Sequence, residues 1–331
     1  MMPHPFSCWK AAAAMASLCL GGSAVSQTAA PQAEPAAEAP GDSLDFGRDF
    51  AARMTVPVRI DGKGPFRFVV DTGAERTVVS NELVHQLGLG PGKSVRLHSM
   101  TGEGQVVTAM ISTLDLSRQR VFDIHAPVLR QAYIGASGIL GTDTLQSQRI
   151  DFDFVAEKMN ITRSRNGAPL YGRDTIVVTA RRRLGRLILV DAALDGEKVT
   201  VILDTGSDAT IGNEALRRKL IAKRKLKRTI PVQLISVTGG RITIDYTQID
   251  SMRLGTVFID RMPIGFAEVH PFAQLGLTDR PAILLGMDTL KLFSRVSVDF
   301  ARRKVHFQVP ETAQREATRL TSRSVSGTPV R

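Results

Sequence analysis

The chain has 331 residues and a hydrophobic fraction of 43%, which is enough for one large or two small packed domains. Aromatic residues make up only 5%, so the cores must consist mainly of aliphatic side chains such as Val, Ile and Leu, of which Val and Ile favour strands. The net charge is +11, but the basic residues are not interleaved with aromatic ones and match no nucleic-acid-binding module, which argues against a nucleic-acid partner.

The first 26 residues have the organisation of a signal peptide. A short segment with one lysine precedes an apolar stretch at residues 11–20 and a series of small residues, with cleavage predicted before Gln27. Cys8 and Cys19 both lie in this segment, so the cleaved chain would contain no thiol that could mispair in an oxidising compartment. We therefore expect export, to the periplasm if the cell is Gram-negative. The alternative is an inner-membrane protein anchored through an uncleaved signal.

The main feature of the remaining chain is an internal repeat. Asp71-Thr72-Gly73-Ala74 recurs as Asp204-Thr205-Gly206-Ser207, and each copy ends an apolar run rich in β-branched residues. Each copy is followed, in the same order, by a short helix opening with Asn-Glu, a hairpin tip, an apolar segment with a glycine, and an alternating strand. These features lie at residues 81–83, 99–102, 138–145 and 149–154 in the first half, and at residues 213–216, 236–239, 282–290 and 295–300 in the second.

A repeat of five features in one order is typical of a duplicated domain. The predicted organisation is a signal peptide at 1–26, a Pro/Ala-rich linker at 27–48, an N-terminal lobe at 49–165, an inter-lobe linker at 166–183, a C-terminal lobe at 184–310 and a basic disordered tail at 311–331. Within the inter-lobe linker, residues 175–179 are apolar enough to add an edge strand.

The duplicated Asp-Thr-Gly motif has the residues that a paired acid and base require. Glycine lets two loops approach closely, and threonine can hydrogen-bond to backbone across the junction between them. Two carboxylates about 3 Å apart cannot both ionise easily, so they share a proton and their pKa values separate. Such a pair can hold a water, and the chemistry requires neither a cofactor nor a metal ion.

These motifs resemble the aspartic protease family of retropepsin type. Over about residues 50–309, the chain is similar to bacterial exported aspartyl proteases in which two retropepsin-like units are fused. The resemblance implies an all-β fold of two homologous lobes, with the active site at the lobe interface. It also implies an aspartic endopeptidase that acts on a polypeptide in extended conformation. Because both aspartates are on one chain, a monomer would suffice for activity.

The resemblance assigns roles to three sets of residues. The expected catalytic residues are Asp71 and Asp204, supported by Thr72, Gly73, Ala74, Thr205, Gly206 and Ser207. The residues expected to pack under the active-site loops are Ile139, Leu140, Gly141, Leu284, Leu285 and Gly286. The flap candidates, which would close over a substrate, are Ser99, Met100, Thr101, Gly102, Ser236, Val237, Thr238 and Gly239.

The two motifs differ at their fourth position, where Ala74 corresponds to Ser207. A hydroxyl at this position can donate to the neighbouring carboxylate and so favour its ionised form. The sequence therefore predicts that Asp204 carries the charge in the free enzyme and Asp71 carries the proton.

Eight basic residues crowd into residues 217–228. One interpretation is a solvated basic helix in an insertion specific to the second lobe. The other is contact with an anionic membrane surface or an acidic partner.

The remaining motifs indicate no other chemistry. The six histidines show no metal-ligand spacing, and His98 and His270 are expected to be surface residues near the first flap and a late loop. The leading alternative to the protease is a catalytically silent, protease-like peptide-binding module of the cell envelope. A structural or envelope-tethering protein is a third alternative, based only on the linker and the basic run.

Overall fold

The structure of the chain is a computed structural model that describes residues 9–11, 42–45, 47–48, 54–164, 175–184, 186–189 and 192–310. Most of the predicted signal peptide and of the linker at 27–48, the first half of the inter-lobe linker, and the whole predicted tail lie outside the described residues. Three short strands fall within the first two of these segments: β1 (Trp9–Ala11), β2 (Asp42–Asp45) and β3 (Gly47–Arg48). The linker prediction did not anticipate β2 and β3.

The first lobe consists of short strands with three small helices. The strands are β4 (Met54–Ile60), β5 (Lys63–Val70), β6 (Val78–Ser80), β7 (Val95–Ser99), β8 (Gly102–Val106), β9 (Thr108–Leu116), β10 (Gln119–Leu129), β11 (Gly138–Leu140), β12 (Gln148–Asp153) and β13 (Lys158–Arg163). The helices are α1 (Asn81–Leu87), α2 (Gln131–Ile134) and α3 (Thr142–Leu145).

The second lobe repeats this order. Its strands are β14 (Thr175–Arg183), β15 (Arg186–Leu189), β16 (Ala192–Leu194), β17 (Glu197–Lys198), β18 (Thr200–Leu203), β19 (Ile211–Gly212), β20 (Ile230–Ile235), β21 (Arg241–Leu254), β22 (Val257–Phe266), β23 (Ala282–Leu285), β24 (Arg295–Asp299) and β25 (Lys304–Gln308). Its helices are α4 (Glu214–Ala222), α5 (His270–Gln274) and α6 (Met287–Leu290).

The sheet of the first lobe closes on itself. Its order is β3-β4-β5-β11-β6-β10-β9, and β9 also pairs with β4, which makes a barrel-like sheet. Val56, Val58 and Ile60 of β4 point into its core and are buried, whereas Arg59 between them is exposed. This alternation is the period-two pattern of a half-buried strand. The prediction of an all-β fold with two homologous lobes is confirmed.

Both predicted helices that open with Asn-Glu are present and capped. The Ser80 hydroxyl accepts the Leu83 N–H at the start of α1, which ends at Gly88 in the left-handed conformation. The Asn213 side chain accepts the Leu216 N–H at the start of α4. These are ordinary N-cap contacts, each of which stabilises a helix by about 1 kcal/mol. None of the helices among the described residues is long and apolar enough to cross a membrane.

A sheet shared by both lobes joins them. Its strands follow the order β2-β13-β12-β24-β25-β14, with β12 and β24 antiparallel neighbours in the centre, and they form one end of a 16-stranded sheet that continues from β14 into the second lobe. These two strands are the repeat-related segments that begin at Arg149 and Arg295, so the duplicated strands pair with each other. One continuous cluster of buried apolar side chains also extends through both lobes.

The segment predicted as an inter-lobe linker ends in a regular strand of this shared sheet. Residues 175–179 of β14 pair with β25, as their apolar character predicted, and residues 180–183 continue into a pairing with β15. The strand therefore runs from the shared sheet into the sheet of the second lobe.

Candidate active site

The two Asp-Thr-Gly loops begin where two equivalent strands end. Asp71 follows β5 and Asp204 follows β18. The neighbouring strands are β11 and β23, whose last residues accept a hydrogen bond from the aspartate backbone: Asp71 N–H donates to Leu140 O at 3.1 Å, and Asp204 N–H donates to Leu285 O at 3.1 Å. The Ile-Leu-Gly and Leu-Leu-Gly segments thus lie beside the aspartate-bearing strands in the same sheets, with their apolar side chains buried in the core.

The glycines that end these segments are required by a close approach of backbones. A Cβ atom on Gly286 would lie 2.5 Å from the carbonyl carbon of Ala209 in the second active-site loop. A Cβ atom on Gly141 would overlap the backbone of Arg76 in the first loop in the same way. Because both obstructing groups are backbone, no side-chain rotation could relieve the overlap. Glycine therefore determines how closely each loop sits on its sheet.

The two threonines of the motifs hold the loops together across the lobe interface. Thr72 N–H donates to Thr205 Oγ1 at 3.0 Å, and Thr205 N–H donates to Thr72 Oγ1 at 3.1 Å. Each hydroxyl in turn donates to a carbonyl of the opposite lobe, Thr72 to Leu203 O at 2.9 Å and Thr205 to Val70 O at 2.7 Å. Both side chains are fully buried. Each hydroxyl group both donates and accepts a hydrogen bond across the interface, as buried polar groups generally require.

The glycines of the motifs bring the carboxylates to the interface. A Cβ atom on Gly73 would lie 2.8 Å from Asp204 Cγ, and one on Gly206 would lie even closer to Asp71 Cγ. Each carboxylate therefore packs directly on the glycine of the opposite lobe. Both aspartates are partly exposed to the cleft above them.

The two carboxylates have different hydrogen-bond partners. Asp71 Oδ1 accepts two backbone N–H groups, from Gly73 at 2.7 Å and from Ala74 at 3.0 Å. For Asp204, Oδ1 accepts the Gly206 N–H at 3.1 Å. Burial, and then the negative charge of Asp71, raise the pKa of Asp204 to about 7, against the opposing effects of Arg186 and the Gly206 N–H. This shift favours the protonated form of Asp204.

This assignment reverses the one made from the sequence. The Ser207 hydroxyl was expected to donate to the neighbouring carboxylate and keep Asp204 ionised. Instead it donates to Ala209 O at 2.8 Å, within its own loop. The predicted hydrogen bond from Ser207 to Asp204 was wrong, because a serine one residue after the glycine can cap its own turn, which is a common local use of a hydroxyl.

Each active-site loop is also supported by a polar cluster of a threonine and an aspartate, which the sequence analysis missed. Thr77 N–H and its hydroxyl both donate to Asp143, at 3.0 and 2.8 Å, and Thr210 makes the same contacts with Asp288 at 3.0 and 2.7 Å. The threonine hydroxyls also accept the N–H of the glycine that follows each apolar pair. The signal was present as a threonine six residues after each motif aspartate and an Asp-Thr pair two residues after each of those glycines.

Arg186 is the other residue that sequence reasoning missed. It begins β15 in the second lobe, is 7% exposed, and its Nε donates to Gly73 O of the first lobe at 2.8 Å. Its positive charge lowers the pKa of Asp204. Arg186 thus both holds the first loop and tunes the second carboxylate. Nothing in the sequence distinguishes it from the other arginines nearby at residues 181–183.

The flap candidates form two hairpins above the aspartates. The first flap, residues 95–106, consists of β7 and β8 with its tip at Met100 and Thr101. The second flap consists of β20 and the start of β21, with its tip at residues 236–240. A cleft of about 420 Å³ lies between the flaps and the two aspartates, with Arg186 also in its lining.

The two flap tips contact each other and the opposite lobe. Thr238 Oγ1 donates to Ser99 Oγ at 3.2 Å, and Gly240 lies directly against Thr101. Met100 of the first flap packs on an apolar cluster of the second lobe, whereas Val237 of the second flap packs on a cluster of the first lobe. The two hairpin tips therefore meet above the cleft in this structure.

The basic run at residues 217–228 is only partly helical, since α4 ends at Ala222. Four of its side chains pair with acidic groups of the same lobe: Arg217 with Asp245, Lys219 and Lys223 with Glu197, and Lys227 with Asp250. Four of the eight basic side chains therefore have an acidic partner within the second lobe.

Two β lobes that contribute matching Asp-Thr-Gly loops to one cleft define the architecture of an aspartic protease. Comparison with protein families agrees with this class. Residues 56–147 match the family described as "gag-polyprotein putative aspartyl protease", and residues 190–289 match the family described as "Aspartyl protease". A search of curated proteins gave no match to the chain. The chain belongs to the aspartyl protease family and contains two of its domains in tandem, as expected for a duplicated retropepsin-like protease.

Proposed function

We propose that the chain is an aspartic endopeptidase that hydrolyses peptide bonds with a water held between Asp71 and Asp204. The observation that carries this proposal is the packing of each carboxylate on the glycine of the opposite lobe, in a cleft under two closed hairpins. The pKa of about 7 for Asp204 adds to it, because a carboxylic acid that keeps its proton near neutral pH can act as an acid beside an ionised partner.

In the proposed reaction, the ionised Asp71 accepts a proton from the water as its oxygen attacks the carbonyl carbon of the peptide bond. Asp204 gives its proton to the carbonyl oxygen, which balances the charge that develops there. The tetrahedral intermediate then collapses as the C–N bond breaks, and the leaving amine takes up a proton from the pair. Two N–H groups already stabilise the ionised Asp71, so this carboxylate is the better initial base.

The proposed substrate is a polypeptide in extended conformation that lies between the aspartates and the flaps. The contacts between the flap tips have to open before a peptide can enter, and they can re-form over the bound chain. Because each lobe supplies one aspartate, one copy of the chain is sufficient. We further propose that the protein acts after export, in the periplasm if the cell is Gram-negative, on protein segments of the cell envelope.

The test is cleavage of a diverse peptide library by the purified full chain from about pH 3 to 8. The Asp71→Asn and Asp204→Asn variants are compared with Asp250→Asn, which changes a surface carboxylate. We expect cleavage by the wild type and the surface variant and a loss of at least a thousandfold in each motif variant. Cleavage that persists in either motif variant would refute the paired mechanism. Peptide binding without cleavage in all forms would favour the silent binding module.

A further inference from the structure

Two histidines and a glutamate meet where the first flap touches the second lobe. His98 of β7 and Glu103 of β8 are opposite each other in the hairpin register, and His270 is the first residue of α5. Their potential ligand atoms all lie within 4.8 Å of one another, and they form the one such group of His, Cys, Asp or Glu side chains found among the described residues. The proposed peptidase mechanism uses none of the three.

Two of the separations in this cluster can be compared with those around a tetrahedral metal ion. His98 Nδ1 lies 2.8 Å from His270 Nε2 and 3.6 Å from Glu103 Oε2. Nitrogen and oxygen ligands about 2.1 Å from a tetrahedral Zn²⁺ are about 3.4 Å apart. The histidine–glutamate separation already fits this value, and the two nitrogens would have to move apart by about 0.6 Å.

The two imidazole rings meet edge to edge. Their planes differ by 6° and their centroids are 5.1 Å apart, which is the separation expected when the rings are in line and their nitrogens are in contact. A nitrogen–nitrogen distance of 2.8 Å requires one proton between the two atoms. A metal ion would replace that proton, and because the two lone pairs point along one line, the rings would also have to turn until both lone pairs are directed at the ion.

The cluster is accessible to an ion from solvent. The side chains of His98 and Glu103 are 30% and 47% exposed. Arg96 Nη1 lies 3.7 Å from Glu103 Oε1, whereas Glu103 Oε2 faces His98. One oxygen of the carboxylate is thus directed at an arginine and the other at the histidines, which orients the group as an outer partner orients a metal ligand.

The duplication offers an internal comparison. When the flap tips at residues 99–102 and 236–239 are aligned, the position of His98 is occupied by Ile235 and that of Glu103 by Gly240. The two lobes share the residues that build the cleft, but the second flap has neither of these ligands. In the aligned tips, His98 and Glu103 are therefore specific to the first flap.

We propose that His98, Glu103 and His270 bind a divalent transition-metal ion such as Zn²⁺, which ties the first flap to the second lobe. Imidazole nitrogens and a carboxylate oxygen are a donor set that suits this ion, and a water completes four-coordination. The first flap already contacts the second lobe at this position, since the backbone N–H of His270 donates to Met100 O at 3.0 Å. A bound ion would hold the flap closed and slow peptide cleavage; this consequence rests on the proposed function, whereas the metal site itself does not.

The experiment is a Co²⁺ titration of the full chain followed by visible absorption, with Zn²⁺ as the competitor. All forms carry Cys8→Ser and Cys19→Ser, so that no thiolate can bind the ion. The test variants are His98→Ala, Glu103→Gln and His270→Ala, and the control is His85→Ala, which removes an exposed histidine from α1. Hydrogen exchange of the amides at residues 95–106, with and without Zn²⁺, reports the closure of the flap independently of any activity.

We expect one equivalent of Co²⁺ to bind with a tetrahedral absorption spectrum, at least tenfold weaker binding in each test variant, and unchanged binding in the control. Zn²⁺ should slow exchange in the first flap of the wild type and not in the His98→Ala variant. Absence of Co²⁺ binding, or binding that is equal in all variants, would overturn the proposal and leave a simple hydrogen-bonded contact between the histidines.

Because binding and exchange are measured without a substrate, they decide the metal site even if no peptide is cleaved. If cleavage is observed, its inhibition by Zn²⁺ should disappear in the His98→Ala variant, and equal inhibition would place the ion on the paired aspartates instead.

Discussion

Asp71 and Asp204 occupy equivalent positions in the repeat, but the protein treats them differently. Asp71 accepts two short N–H bonds, which stabilise a carboxylate, while Asp204 accepts one and sits beside the charge of Asp71. The difference arises from the details of two turns, and the one residue that distinguishes the two four-residue motifs, Ser207, hydrogen-bonds within its own turn. At the scale of single residues, the difference between the two carboxylates therefore arises from the number of backbone N–H groups that donate to each.

The raised pKa of Asp204 predicts how stability changes with pH. The folded state holds this proton up to about pH 7, whereas in the unfolded chain the pKa is 3.8. Between these values the folded state binds more protons, so the group stabilises the protein below about pH 4 and this contribution is lost as the pH rises to 7. We expect the wild type to lose stability relative to Asp204→Asn over this range, by at most about 4 kcal/mol. Urea unfolding of both proteins at several pH values measures the difference, and parallel profiles would contradict the assignment.

Arg186 leads to a second prediction at this scale. Its charge lowers the pKa of Asp204, so Arg186→Met should raise that pKa further, whereas Arg186→Lys should retain most of the effect. Since Asp204 has to be protonated in the proposed mechanism, the alkaline limb of the pH–rate profile should move to higher pH in the methionine variant. Both variants lose the guanidinium group, and with it the hydrogen bond from Nε to Gly73 O. If the alkaline limb of the pH–rate profile moves equally in both, the lost hydrogen bond and not the lost charge is the cause.

At the scale of elements, each active-site loop packs against the end of a strand, β11 or β23. The glycine that follows the strand, Gly141 or Gly286, allows this close approach. We expect Gly286→Ala to destabilise the protein by roughly 2 kcal/mol or more, because the new Cβ would meet the backbone of Ala209. Gly90→Ala is the matched control, since a Cβ atom there meets nothing within 4 Å. Urea unfolding of the two variants compares the costs. A control as destabilised as Gly286→Ala would mean that flexibility of the chain, and not the close approach, explains the effect.

Elements whose evidence is local could be predicted from the sequence. The capped helix at Asn81, both hairpin tips and the strands that end at the aspartates all depend on residues close together in the chain. The contacts that cross the molecule could not be predicted. The pairing of β12 with β24, the hydrogen bond of Arg186 to the opposite loop, and the meeting of His98 with His270 join residues more than 100 positions apart, and no spacing rule reports such contacts.

At the scale of the whole molecule, the two lobes are more closely joined than a duplication requires. They share a sheet to which both contribute strands, a continuous apolar cluster and four buried hydrogen bonds that Thr72 and Thr205 make across the lobe interface. If the lobes were independent domains joined by a linker, each would have its own free energy of unfolding. Here the removal of one lobe would expose core side chains of the other to water and would break these hydrogen bonds, at a net cost of about 0.5–1.5 kcal/mol for each bond.

This arrangement predicts that the lobes unfold as one cooperative unit. A change that affects only one lobe should therefore lower the stability of both. In Gly286→Ala, the altered contact lies within the second lobe, yet we expect amides of the first-lobe strands β4, β5 and β9 to exchange faster by the same factor as those of β18 and β23. Native-state hydrogen exchange in low urea, resolved by peptide, measures both sets in one sample. Gly141→Ala is the reciprocal variant, with its altered contact in the first lobe. If each glycine variant accelerates exchange only in its own lobe, the shared sheet does not couple them, and the two domains are independent folding units.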